Sequence, residues 1–201
     1  KKLYDLVITN KNVYLTNIML IPCIVFIGLN IKTIQKWKLN DCLAHKQFYW
    51  LIFWYILLFS FIIGICISFI YHFYMFEHRP LIHKISSLDP YFTAPLLSIL
   101  SGLLFLLYFL YLKHPVKNNI LTLKKITEPI FYVAFIFSVI GISSYFIRKK
   151  FVPEWKENDY IRCRFLNMHI FFHYMSYTGA ILLYLLYYIE SWHLFKAFFE
   201  E

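Results

Sequence analysis

The chain has 201 residues, of which 60% are hydrophobic, 22% aromatic and 15% charged, with a mean hydropathy of +0.58 and a formal net charge of +9. Soluble domains are about 45–50% apolar and about 25% charged, so this composition excludes an ordinary aqueous domain or a disordered chain and points to a membrane protein. The positive charge is no sign of nucleic-acid binding, because the Lys and Arg residues fall between apolar runs, where cations meet lipid headgroups.

A spanning helix needs about 20 mostly apolar residues at a rise of 1.5 Å each. Five segments meet that measure: 13–31, interrupted by Pro22; 48–76, longer than one crossing and so tilted or protruding; 91–112; 129–147, opened by Pro129; and 165–189. Residues 190–201 (ESWHLFKAFFEE) read as a short interfacial amphipathic tail. The expected fold is therefore all-α, a polytopic transmembrane helix bundle of about five spans forming one integral membrane domain.

The connections between these segments are polar, and an odd number of spans puts the termini on opposite sides. Lys and Arg number 11 on the N-terminal side and 9 on the other, a difference too small for the positive-inside rule to orient the chain. Each expected span holds one glycine (Gly28, Gly64, Gly102, Gly141 and Gly179), read as five notches where helix backbones approach closely. Cys23 and Cys66 lie in apolar runs, Cys42 and Cys163 in polar ones, and no C-x-x-C pair suggests a zinc ribbon or redox site.

Ionisable residues inside apolar runs are costly and mark candidate sites. Ser68 and His72 stand four residues apart near the end of the second span (SFIYH), Asp89 opens the third, and His169 and His173 (HIFFH) open the fifth. Residues at i and i+4 share one helix face. With five spans, the end of the second and the starts of the third and fifth reach the same membrane face, so all five residues are expected at one depth.

Three imidazoles with one open position form the ligand set of a catalytic zinc site, here His72, His169 and His173. Zinc lowers the pKa of bound water towards 7; Asp89 would act as general base or orient a ligand, and Ser68 would donate to a developing oxyanion. Simpler roles stand beside these: His72 as an interfacial residue, Asp89 as a helix cap before Pro90, and Ser68 bonded back to its own helix. His45, His78, His83, His114 and His193 read as solvated, with His78 and His83 as substitute ligands. Glu128 and Glu190 read as helix-end residues meeting headgroups.

The order S-x-x-x-H at the end of an early span, Asp at the start of the next and H-x-x-x-H in the last resembles the CREST superfamily of membrane hydrolases, which includes the alkaline ceramidases and the adiponectin-type progestin receptors. The nearest likeness is to its myomaker and GPI-specific phospholipase branch, through NIMLIPCIVF in the first span, SFIYH in the second, and PEWKENDY before MHIFFH. The resemblance implies His72, His169 and His173 as zinc ligands with Ser68 and Asp89 beside the metal. Members of that family have seven spans, so five here would be a shortened seven-span fold lacking two helices between Leu112 and Thr127, and Phe73-Tyr74-Met75 stands where the branch usually has an acidic residue.

Three functions follow as expectations. The first is a zinc-dependent intramembrane hydrolase of lipid amide or ester bonds, or an inactive descendant, in an endomembrane or plasma membrane. The second is a structural or assembly subunit of a larger complex, such as an organelle-encoded respiratory-chain subunit of the mitochondrial inner membrane. A composition poor in Gly (5) and Ala (5) and rich in Phe (22) and Tyr (17) fits that second reading. The aromatic run LLFLLYFLYL (103–112) would then face a foreign subunit. The third is an electron carrier with haem ligated by His72 and His169 or His173. Membrane lipids and other membrane subunits are the expected partners, and nucleic acid is not.

Overall fold

The computed structural model describes residues 15–74, 94–113, 118–149 and 159–199. Among them the chain is all-helical: a 3-10 turn (Thr16–Leu20) leads into α1 (Ile21–Gln35), followed by α2 (Asp41–Tyr74), α3 (Ala94–Lys113), α4 (Asn118–Lys149), α5 (Asp159–Ile189) and the short α6 (Ser191–Phe199). Five of these helices are long and apolar enough to cross a membrane, as expected from the sequence.

Pro22 does not interrupt the first span. It occupies the first turn of α1, where a missing N–H costs nothing, and the 3-10 turn supplies the residues before it. Cys23, Ile27, Asn30, Ile31 and Ile34 recur at helical spacing and form the buried face of α1. Gln47 of α2 closes the far end of α1 by donating to Ile34 O at 2.6 Å, and Asn40 caps α2 by accepting from Leu43 N at 3.1 Å.

The helices outrun the expected spans. α4 begins at Asn118, not at Pro129, and carries that proline inside it. Its early turns are tied to α3 by Lys124, which reaches Tyr111 O at 2.7 Å, while Thr127 donates back within α4 to Leu123 O at 3.1 Å. In this setting the loss of one backbone bond at proline is tolerated.

Two kinds of packing shape the bundle. α4 and α5 cross closely through the matched sequences Ser138-x-x-Gly141 and Ser176-x-x-Gly179. A Cβ on Gly141 would collide with Ser176, coming within 2.7 Å of its backbone N; one on Gly179 would collide with Ser138 and approach Ala134 O to 2.7 Å. Elsewhere rings separate the helices. Trp54, Phe61, Tyr108, Tyr184 and Tyr187 are fully or almost fully buried, with Trp54 and Tyr187 centroids 5.4 Å apart and Tyr108 stacked on Phe131 at 5.1 Å. The reading of five glycine notches is thus corrected for Gly28 and Gly102: among the described residues nothing lies within 4 Å of a Cβ built on either.

The run 103–112 divides between two faces of α3. Tyr108 and Tyr111 are buried and Phe105 packs against the core, while Leu103, Leu106, Phe109 and Leu110 stay exposed. The tail forms the expected amphipathic helix, but α6 buries Leu194 and Phe195 against the bundle, where Trp37 meets Trp192 at 5.0 Å and Phe195 at 5.1 Å.

Glu190, expected at headgroups, is instead completely buried between α5 and α6. Its carboxylate accepts hydrogen bonds from Tyr108 Oη at 2.8 Å and from Tyr111 Oη. Lys124, in a segment expected to be a polar connection, is also buried and lies over the Tyr111 ring at 4.4 Å.

Candidate functional site

His169 and His173 lie one turn apart on the inner face of α5, each 2% exposed. Their Nε2 atoms face one another at 2.9 Å, with the rings nearly edge to face. The second ring nitrogen of His173 is held from the start of the first span: Thr16 Oγ1 lies 2.5 Å from His173 Nδ1. When His173 donates through Nδ1, its Nε2 presents a lone pair on the opposite side, the orientation that a metal-ligating histidine takes from an oxygen partner.

Ser68 is buried on the facing side, near the end of α2. It donates to Asn17 Oδ1 at 3.3 Å, and Tyr177, one turn beyond His173, donates to the same oxygen at 3.0 Å. Tyr177 also stacks on the His173 ring at a centroid distance of 4.8 Å. The Thr16–Asn17 dipeptide therefore ties Ser68, near the end of α2, to the histidine pair near the start of α5. Thr16 and Asn17 are the site residues that sequence reasoning missed. The available signal was two consecutive polar side chains at the head of an otherwise apolar span, a pattern that ordinary helix caps share.

His72 lies on α2 one turn past Ser68, with its side chain outside the described residues, and Asp89 falls outside them entirely. Among the described residues, no third His, Cys, Asp or Glu completes a metal-binding group with the pair. Two nitrogens bound to one tetrahedral ion at 2.0–2.1 Å sit about 3.3 Å apart. The observed 2.9 Å is thus a few tenths of an ångström short of that spacing. The donor chemistry, the facing Nε2 atoms and the oxygen behind His173 fit a metal that would draw its remaining ligands from outside this pair.

The site opens on a cavity of about 620 Å³ between α2, α3, α4 and α5. Its wall is mostly apolar, with Phe61, Phe105, Phe109, Phe131, Phe135 and Ile142 prominent, and His169, His173, Ser68 and Tyr177 contribute polar groups. Rings fill the space between the helices at the α6 end, while along the cavity Gly64, Gly102, Ser101 and Ala180 are too small to do so. Void volume beside small residues is the direct result. Along α5 the lining runs from His169 to Ala180, about 16 Å at helical rise. The cavity is long and mostly apolar, and polar where the histidines stand.

No family model, curated protein or solved structure matches the chain, so the resemblance to the CREST superfamily rests on the quoted motifs alone.

Proposed function

We propose that the chain is an intramembrane hydrolase of a lipid ester or amide, with the acyl chain held in the apolar cavity and a zinc ion held by His169, His173 and His72. The observation that carries this reading is the position of the histidine pair and Ser68 in the wall of a cavity of about 620 Å³. A metal there would polarise the lipid carbonyl and supply a nucleophile at neutral pH. Thr16 fixes the His173 ring, Ser68 donates to the carbonyl oxygen as it gains charge, and Asp89 takes the proton of the attacking water and returns it to the amine or alcohol that departs as the carbonyl–nitrogen or carbonyl–oxygen bond breaks. The motif resemblance supports the same assignment of His72 and Asp89.

The test is metal analysis and lipid turnover on the full chain, purified in mild detergent. About one zinc per chain is expected, and His169→Ala, His173→Ala or His72→Ala should remove zinc and hydrolysis together. Asp89→Asn and Ser68→Ala should keep the metal and slow turnover by about a hundredfold or more for the base and about a hundredfold for the donor. A wild-type chain without bound metal, or zinc retained after loss of both His169 and His173, overturns the assignment.

A further inference from the structure

We propose that Asn17 is a positioning residue that aims the Ser68 hydroxyl into the cavity, and that the group received there is the carbonyl oxygen of a long-chain lipid amide or ester. This rests on the reading of the cavity as a lipid seat, and it adds a residue that no motif marks.

Asn17 is wholly buried in the 3-10 turn before α1. Ser68 Oγ and Tyr177 Oη lie 3.3 and 3.0 Å from its Oδ1, while Nδ2 is buried with no partner among the described residues. An amide nitrogen with two N–H donors and nothing to receive them is the costliest way to leave such a group. The side-chain amide keeps its shape when turned by 180° about its last torsion. Turned in this way, the NH2 group offers one N–H to each hydroxyl oxygen, so both donors are used. The atom then left over is a carbonyl oxygen, which proteins leave unsatisfied more readily than an N–H.

The turn changes what Ser68 does. While it donates to Asn17 Oδ1, its hydrogen is spent inside the protein; once it accepts from Asn17 Nδ2, that hydrogen is free to donate into the cavity that Ser68 lines. Tyr177 steadies the amide plane from α5. A hydroxyl donor in a mostly apolar wall, beside the few polar groups of His169, His173 and Tyr177, selects an acceptor on an otherwise apolar ligand, which is the pattern of a lipid carbonyl.

The experiment measures retention of tritiated N-methylpalmitamide and of tritiated heptadecane by the metal-free, detergent-solubilised full chain. Wild type is expected to hold the amide about tenfold more tightly than the alkane. Asn17→Leu should lose that preference as fully as Ser68→Ala does, with alkane retention unchanged. The double variant should be no worse than either single one, because the two residues act as one unit. Asn17→Gln, which can restore an amide near Ser68, should recover part of the preference. Asn17→Leu with its amide preference intact, or with amide and alkane retention falling together, overturns the proposal. If wild type holds both probes equally, the positioning role fails while the lipid seat survives; if it holds neither, the lipid seat fails and the positioning role with it.

Discussion

A fully buried carboxylate in a membrane-spanning chain is tolerable only when its oxygens are met by donors. Glu190 meets that condition with one tyrosine hydroxyl on each oxygen, Tyr108 on Oε1 and Tyr111 on Oε2. Glu190→Ala should therefore cost about 3 kcal/mol, because it strands two buried phenols, and should lower the thermal midpoint in detergent. Adding Tyr108→Phe and Tyr111→Phe to that variant should recover most of the loss, since removing both sides of a buried hydrogen bond is nearly neutral. A Glu190→Ala chain as stable as wild type would show that the network carries no net stability. The same residue shows where sequence reading stops. A glutamate at the end of an apolar run looks like a headgroup contact, and its burial depends on α3, α4 and α6 closing over it. His169 and His173 were legible because two imidazoles at i and i+4 inside an apolar run have few inexpensive explanations. Thr16 and Asn17 were not, since their importance lies in side chains on α2 and α5 that are 51 to 160 residues away in sequence.

The closest helix pair, α4 with α5, depends on two glycines that face serines across the crossing. Gly141→Ala and Gly179→Ala would each drive a methyl group into backbone atoms of the partner helix 2.7 Å away. Each should cost about 1–3 kcal/mol, read as a lower thermal midpoint. Gly28→Ala and Gly102→Ala enter open space within regular helices and should be neutral or stabilising by up to about 1 kcal/mol. Equal loss at all four positions would refute the division into notches and open sites. The spans themselves were legible because hydropathy over about 20 residues reports lipid-crossing length directly. Their true ends were not. Hydropathy falls away at charged turns such as 118–128, whereas the helix continues through them because Lys124 and Thr127 find partners. The glycine notches were only partly legible, for sequence marks where a backbone is bare but not whether another helix lies against it.

At the scale of the whole molecule, the histidine cluster and the Glu190 cluster, both among the described residues, lie at two depths. From His173 to Glu190 the chain runs 17 residues, about 26 Å at helical rise, close to the thickness of a bilayer core of about 30 Å. At the Glu190 end, rings and hydrogen bonds close the bundle; at the histidine end, small residues leave it open as the cavity. If that opening seats a lipid, filling it should displace lipid without touching the metal site. Gly102 allows this separation, because it lines the cavity, has no described neighbour within 4 Å of a Cβ and lies on α3, the helix opposite the histidines. Gly102→Leu should fold with an unchanged thermal midpoint and bind zinc as wild type does, yet carry several-fold less co-purified lipid by mass spectrometry. Lipid content equal to wild type in that variant would place the lipid elsewhere on the protein. Loss of zinc together with lipid would mean that the leucine had deformed the site beyond the cavity it was chosen to fill.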